Sequence, residues 1–161
     1  MAVDNVINVI VAGIGGQGVL KASDIFGQVV FTAGYDVKKS EVHGMSQRGG
    51  SVVSDIRFGK QVFSPMVPPE ECDYLVVLEE TQIESNVHRL RPKNGVLIKP
   101  DSIDLTKLRN KRSINVALLG VLSTYLTDLP EELWLTAIRD NFAEKLHQVN
   151  ETAFRLGKNS R

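Results

Sequence analysis

Val6-Ile7-Asn8-Val9-Ile10-Val11-Ala12 runs straight into Gly13-Ile14-Gly15-Gly16-Gln17-Gly18 and then into Val19-Leu20-Lys21-Ala22. The first seven residues are nearly all apolar and rich in β-branched side chains, the pattern of a strand covered on both faces. The glycines that follow give a G-x-G-x-x-G turn, where a strand must reverse through positive φ and bare backbone lies open to an anion. Beyond the turn, Val19, Ala22, Phe26, Val29, Val30 and Ala33 fall on one helical face, and Gly34 is a good stop. Strand, glycine turn, helix, glycine and a second strand from Tyr35 form the opening of a βαβ unit.

Tyr74-Leu75-Val76-Val77-Leu78 and Gly95-Val96-Leu97-Ile98 are two further short apolar runs bounded by polar or turn residues. Ser51 to Phe58 alternates as a half-buried strand, and Gly59-Lys60 ahead of Gln61-Val62-Phe63 predicts a hairpin turn. Ser40 to Gly50 fits no period and predicts a loop, while Pro65, Pro68 and Pro69 exclude an interior strand or helix. The last third is helical. Asn115 is expected to cap Val116–Thr127, Pro130 to sit just inside a second helix, and a third to run from Asn141 to Arg155 and stop near Gly157. The predicted fold is α/β: a Rossmann-like three-layer domain over residues 1–161 with a mostly parallel sheet, a β-hairpin insertion and a helical C-terminal third.

The chain has 161 residues, 42% hydrophobic, with 19 Lys+Arg against 19 Asp+Glu. Zero net charge supplies no field for a phosphate backbone, so no nucleic-acid partner is expected. The single cysteine, Cys72, forbids an internal disulfide and fits a reducing compartment. One thiol also cannot hold an iron–sulfur cluster or a cysteine-rich zinc. Its acidic neighbours Glu70, Glu71 and Asp73 make it a poor nucleophile. The first apolar run is too short to span a bilayer and follows no basic segment, so cytoplasm and no membrane are expected.

Two segments carry the polar chemistry. Gly13, Gly15, Gly16, Gln17 and Gly18 form the first, where the helix N-terminus presents unpaired N–H groups to an anion. Close helix–strand packing with nothing bound explains the same glycines equally well. A dinucleotide would further require an acidic residue about 20 positions on, and Asp36 is the candidate, although a surface strand residue followed by Lys38 and Lys39 reads more naturally there. The second segment is Glu41-Val42-His43-Gly44-Met45-Ser46-Gln47-Arg48-Gly49-Gly50. Glu41, Gln47, Arg48 and Gly49 suit an anionic ligand or a partner's active site, and Arg48 offers a planar fork of donors for phosphate or carboxylate. His43, His88 and His147 show no metal spacing, no Gly-x-Ser-x-Gly elbow or P-loop occurs, and no catalytic residue is assigned.

Together, Val11 to Val19, Ala33 to Val37 and Ser40 to Val52 resemble the gamma domain of the 2-oxoacid:ferredoxin oxidoreductases. The likeness continues through Glu70 to Leu75, Asn115 to Gly120 and Asn150 to Gly157, so it covers nearly the whole chain. It implies an oxidative decarboxylation of a 2-oxoacid, an arylpyruvate such as indolepyruvate, to an acyl-CoA, with electrons leaving to ferredoxin. Thiamine diphosphate, magnesium and four-iron, four-sulfur clusters are then expected on a larger alpha subunit, with this chain inactive alone. The two glycine-rich loops are expected to line the subunit junction and to contact coenzyme A. A freestanding NAD(P)- or flavin-binding reductase and a pure assembly module without a ligand stand as alternatives.

Overall fold

The computed structural model describes residues 5–44 and 49–161. In chain order the elements are β1 (Ile7–Ile14), α1 (Val19–Thr32), β2 (Asp36–His43), β3 (Ser51–Gly59), β4 (Tyr74–Val77), α2 (Ile83–Asn86), β5 (Val96–Ile98), α3 (Ile114–Ser123), α4 (Glu131–Asn141) and α5 (His147–Lys158). Short 3-10 turns flank α2 at Glu80–Gln82 and Val87–Arg89. No helix among the described residues is long and apolar enough to cross a membrane.

The five strands form one sheet in the order β2-β3-β1-β4-β5. β1, β4 and β5 are parallel neighbours, whereas β3 runs against both β1 and β2. Four strands therefore share one direction, but β3 is inserted between the two ends of the β1-α1-β2 unit. The expected mostly parallel sheet is thus a mixed one, with two parallel and two antiparallel ladders. The cause is the short return from His43 to Ser51, because a parallel neighbour needs a crossover of about a dozen residues or more.

The hairpin also differs from the prediction. β2 and β3 are its arms, in a register from Asp36↔Gly59 to His43↔Val52, so Ser40–His43 is strand rather than loop. β2 lies at the sheet edge and is half solvated, which blurs its alternation. Gln61–Phe63 forms no strand: the Val62 amide donates to Asp36 Oδ2 at 2.8 Å, while Phe63 stands 86% exposed.

Val9 to Ala12 of the central β1 are fully buried. Val9 and Val11 join α1, α3, α4 and α5 in the larger core, where Trp134 stacks on Phe26 with centroids 5.6 Å apart and meets Phe154 at 5.6 Å. Ile10 faces the other way, into a small cluster with Val67, Cys72, Leu75 and Val77. That second layer is thin, a proline-bearing strap over residues 60–69 and the short α2 region. It is pinned by a buried pair: Arg89 Nη1 and Nη2 donate to the two Asp55 oxygens at 3.0 and 2.7 Å, and the Val67 amide donates to the same carboxylate at 2.9 Å.

The helical third is as expected in kind and different in its ends. Gly34 (φ +96°) closes α1, with its amide on the Phe31 carbonyl and the Tyr35 amide on Val30. Pro130 is the N-cap of α4 rather than its first helical residue. α5 starts at His147, after a 3-10 turn, and passes through Gly157 instead of stopping there. Gly120 and Gly157 are the crossing point of α3 and α5: a Cβ on Gly157 would overlap the Ala117 carbonyl, and one on Gly120 the Phe154 carbonyl. Glycine here permits backbone-to-backbone contact.

Candidate functional site

The site is built at the carboxyl end of β1, where α/β sheets place ligands. Gly16 and Gly18 adopt φ of +89° and +83°, and Gly13 has no room for a side chain, its Cβ position lying 2.8 Å from Val19 Cγ2. The turn is closed by Gln17. Its side-chain oxygen accepts the Ile14 amide at 2.9 Å, and its Nε2 donates to Glu79 Oε2 at 2.9 Å, tying the turn to the segment after β4. Gln17 is thus a fastener of the loop, with its amide engaged inside the protein.

Gly18 is the N-cap of α1 and carries no side chain to satisfy the first helical amides; no acidic residue occupies the first turn. Unpaired N–H groups and the positive end of a fourteen-residue helix therefore face a cavity of about 270 Å³ lined by Gly15, Gly16, Gly18, Lys21 and His43 among others. That surrounding suits a phosphate or another anion. Asn115 sits behind it and does not cap its own helix as expected, since Ser113 holds that position. Its Nδ2 donates to the Gly18 carbonyl at 3.1 Å, and its Oδ1 accepts the Val116 amide at 2.9 Å. Gly18→Ala should cost about 2 kcal/mol, from a left-handed backbone without glycine and an overlap with the Asn115 amide. A urea midpoint with unchanged slope would measure it, and a loss under about 0.5 kcal/mol would deny the strain.

The second glycine segment lies beside the first. The Gly15 amide donates to the Gly50 carbonyl at 2.9 Å, and the Gly44 amide to Ser51 at 2.6 Å. Gly49 has φ +65° and its amide nitrogen is 3.6 Å from where a Gly15 Cβ would be. Sequence positions more than thirty residues apart are thereby joined at one place. Glu41 is exposed on β2, with Oε1 3.8 Å from Lys39 Nζ. Gln47 and Arg48 lie outside the described residues, as do Met45 and Ser46.

Asp36 is placed at the wrong end for a dinucleotide. It opposes Gly59, next to the Phe58↔Ile7 pair, whereas the glycine turn follows Ile14. Seven residues of strand separate the two levels, roughly 23 Å. Its carboxylate instead takes Lys38 Nζ at 2.8 Å and the Val62 amide, and these hydrogen bonds, Lys38 first, hold it below the usual carboxylate range. The ribose contact of a free NAD site is therefore missing. Asn115, Glu79 and Lys21 belong to this site without a sequence signal that marks them as such. Asn115 acts across 97 residues and Glu79 across 62, so no local pattern marks them.

The donor set does not fit an iron–sulfur cluster. Cys72 is fully buried, burial pushes its thiol up to about 12, and among the described residues no three metal-binding side chains converge.

Residues 8–160 match the family model described as pyruvate ferredoxin/flavodoxin oxidoreductase. The chain is 32% identical to the indolepyruvate oxidoreductase subunit IorB of Thermococcus kodakarensis over 93% of each chain. Its fold is that of the pyruvate oxidoreductase subunit PORC of Thermotoga maritima, with a TM-score of 0.78 and 21% identity over 96% of each chain. It also superposes on part of the 2-oxoglutarate:ferredoxin oxidoreductase of Magnetococcus marinus, solved with 2-oxoglutarate, coenzyme A and succinyl-CoA, with a TM-score of 0.81 and 18% identity. That match covers 98% of this chain and 31% of the other.

Proposed function

The chain belongs to the pyruvate ferredoxin/flavodoxin oxidoreductase family and is a small subunit of a 2-oxoacid:ferredoxin oxidoreductase; from that premise we propose how it serves the reaction. The 2-oxoacid is an arylpyruvate of the indolepyruvate kind, the product an acyl-CoA, and the electron acceptor ferredoxin. Thiamine diphosphate with magnesium, and the four-iron, four-sulfur clusters, reside on a larger alpha subunit in the cytoplasm. They supply the carbanion chemistry and the electron path. Residues 1–161 act as one domain that completes the site from outside.

One observation carries this reading: the two glycine-rich loops are stitched together by the Gly15–Gly50 hydrogen bond at the uncapped start of α1. Main-chain amides of Val19 and Leu20 then bind an anionic group, with no side chain in the way at Gly15, Gly16 and Gly18. Lys21 adds positive charge at the cavity wall. We assign this cradle to the phosphate-bearing part of coenzyme A, held while the acyl group is transferred. Gly13 and Gln17 keep the turn in shape; Glu41 at the edge of β2 and the Gln47-Arg48-Gly49 stretch that follows it are assigned to the subunit junction, with Arg48 as the charged donor to phosphate.

The isolated chain should contain no iron and should not decarboxylate a 2-oxoacid when given thiamine diphosphate and magnesium. It should co-purify with a cysteine-rich, thiamine-binding polypeptide. Turnover by the chain alone would overturn the reading. In the reconstituted complex, Arg48→Ala should raise the KM for coenzyme A about tenfold at unchanged KM for the 2-oxoacid. An unchanged coenzyme A KM in an intact assembly would reduce the loops to assembly elements.

A further inference from the structure

At the other end of the sheet, where β1 and β4 begin, a second cavity of about 300 Å³ is lined by Ile7, Tyr35, Phe58, Tyr74, Tyr125 and Asp128 among others. The chain has three tyrosines, and all three are here. They come from different parts of the sequence: Tyr35 precedes β2, Tyr74 opens β4, and Tyr125 follows α3. The rings pack as two angled pairs in contact. Tyr74 and Tyr125 are tilted by 48° with centroids 5.5 Å apart, and Tyr35 meets Phe58 at 67° and 5.4 Å.

Aromatic faces carry negative charge density and attract cations. One cation already uses this ring system: Arg161 Cζ lies 3.9 Å over the Tyr125 centroid. Asp128 is the charged residue of the lining, is exposed at the rim, and makes no hydrogen bond or ion pair among the described residues. Burial holds the Tyr74 phenol above its ordinary range, with Asp73 and Tyr125 adding to the shift, so it stays a neutral wall. Leu126 and Leu129, both nearly buried, supply an apolar floor.

We propose that this cavity is an aromatic cage for a small organic ammonium, held by the Tyr35, Tyr74 and Tyr125 rings, backed by the buried Phe58, and oriented by the Asp128 carboxylate. An anion is disfavoured by the carboxylate at the rim, and the ring faces favour a cation over a neutral molecule of the same shape. The ligand class is an alkyl- or arylalkylammonium with no carboxylate of its own. The site sits at the opposite end of β1 from the glycine loops and does not depend on what those loops bind.

The concentration of every tyrosine in one cavity makes the test direct. The full chain labelled with 3-fluorotyrosine should give three fluorine resonances, each reporting on the cage. Choline should shift all three saturably, whereas 3,3-dimethylbutan-1-ol, its uncharged carbon analogue, should leave them in place. Asp128→Asn, in an exposed loop where folding is not at stake, should weaken choline binding about fivefold. Unmoved resonances would overturn the proposal. So would equal shifts with the alcohol, or choline binding indifferent to Asp128→Asn.

Discussion

Gly157→Ala is expected to destabilise the protein by about 3 kcal/mol or more, an unusually large effect for a single methyl group. The added Cβ would overlap the Ala117 carbonyl oxygen on α3 and approach the Val121 amide at 3.0 Å. Both groups are backbone, and neither can rotate away. Relief requires α3 and α5 to separate, which opens the contact around Trp134, Phe154 and Leu118, all fully buried. Gly27→Ala in α1 supplies the contrast. Its Cβ would meet Lys39 Cδ at 3.4 Å, the movable part of a long side chain, and the helix gains up to about 1 kcal/mol of propensity. Urea denaturation of the two variants should therefore move midpoints in opposite directions at similar slope. A Gly157→Ala loss below about 1 kcal/mol would mean that the two helices are not held at that distance. The consequence reaches the candidate site, because α3 also carries Asn115, the support of the Gly18 carbonyl.

The same glycine shows where reading the sequence stops. A glycine near the end of an apolar helical pattern is either a stop or a crossing point, and the choice depends on a helix some forty residues away. Gly34 was legible as a stop because its function is local: it closes α1 in its own turn. β1 and the Gly13–Gly18 turn were legible for the same reason, since two-sided burial and positive φ leave marks on the residues themselves. β3 was legible as a strand but not as the neighbour of β1. Its place follows from a short return out of β2, and an edge strand solvated on one side hides its own alternation. The candidate site divides in the same way. Its glycines could be found from their spacing, whereas Asn115 and Glu79, which hold the turn from outside, are chosen by tertiary packing. Asp36 illustrates the converse: correct spacing for a ribose contact, yet a position at the far end of β2.

Asp55→Ala should cost about 3 kcal/mol, the second large effect, because it removes one half of a desolvated pair. The side chains of Asp55 and Arg89 are only 8% and 22% exposed, so water cannot replace the lost partner fully. Three donors lose the carboxylate at once, both Arg89 terminal nitrogens and the Val67 amide, and only Nη2 keeps a second acceptor, the Val67 carbonyl at 3.4 Å. Arg89→Met should cost a similar amount by leaving the carboxylate buried with the Val67 amide alone. The double variant Asp55→Ala with Arg89→Met should then lose clearly less than the sum of the two, since neither charge remains to be desolvated. Strict additivity would show that the pair is not coupled and that each residue acts through packing alone. The pair joins β3 to the strap at Val67 and to the turn after α2, and that same stretch of chain begins at Glu79, the partner of Gln17. Loosening it should therefore expose the 60–69 strap to proteolysis and, in the reconstituted complex, weaken coenzyme A binding more than 2-oxoacid binding, because the glycine turn loses its outer anchor while the partner subunit is untouched.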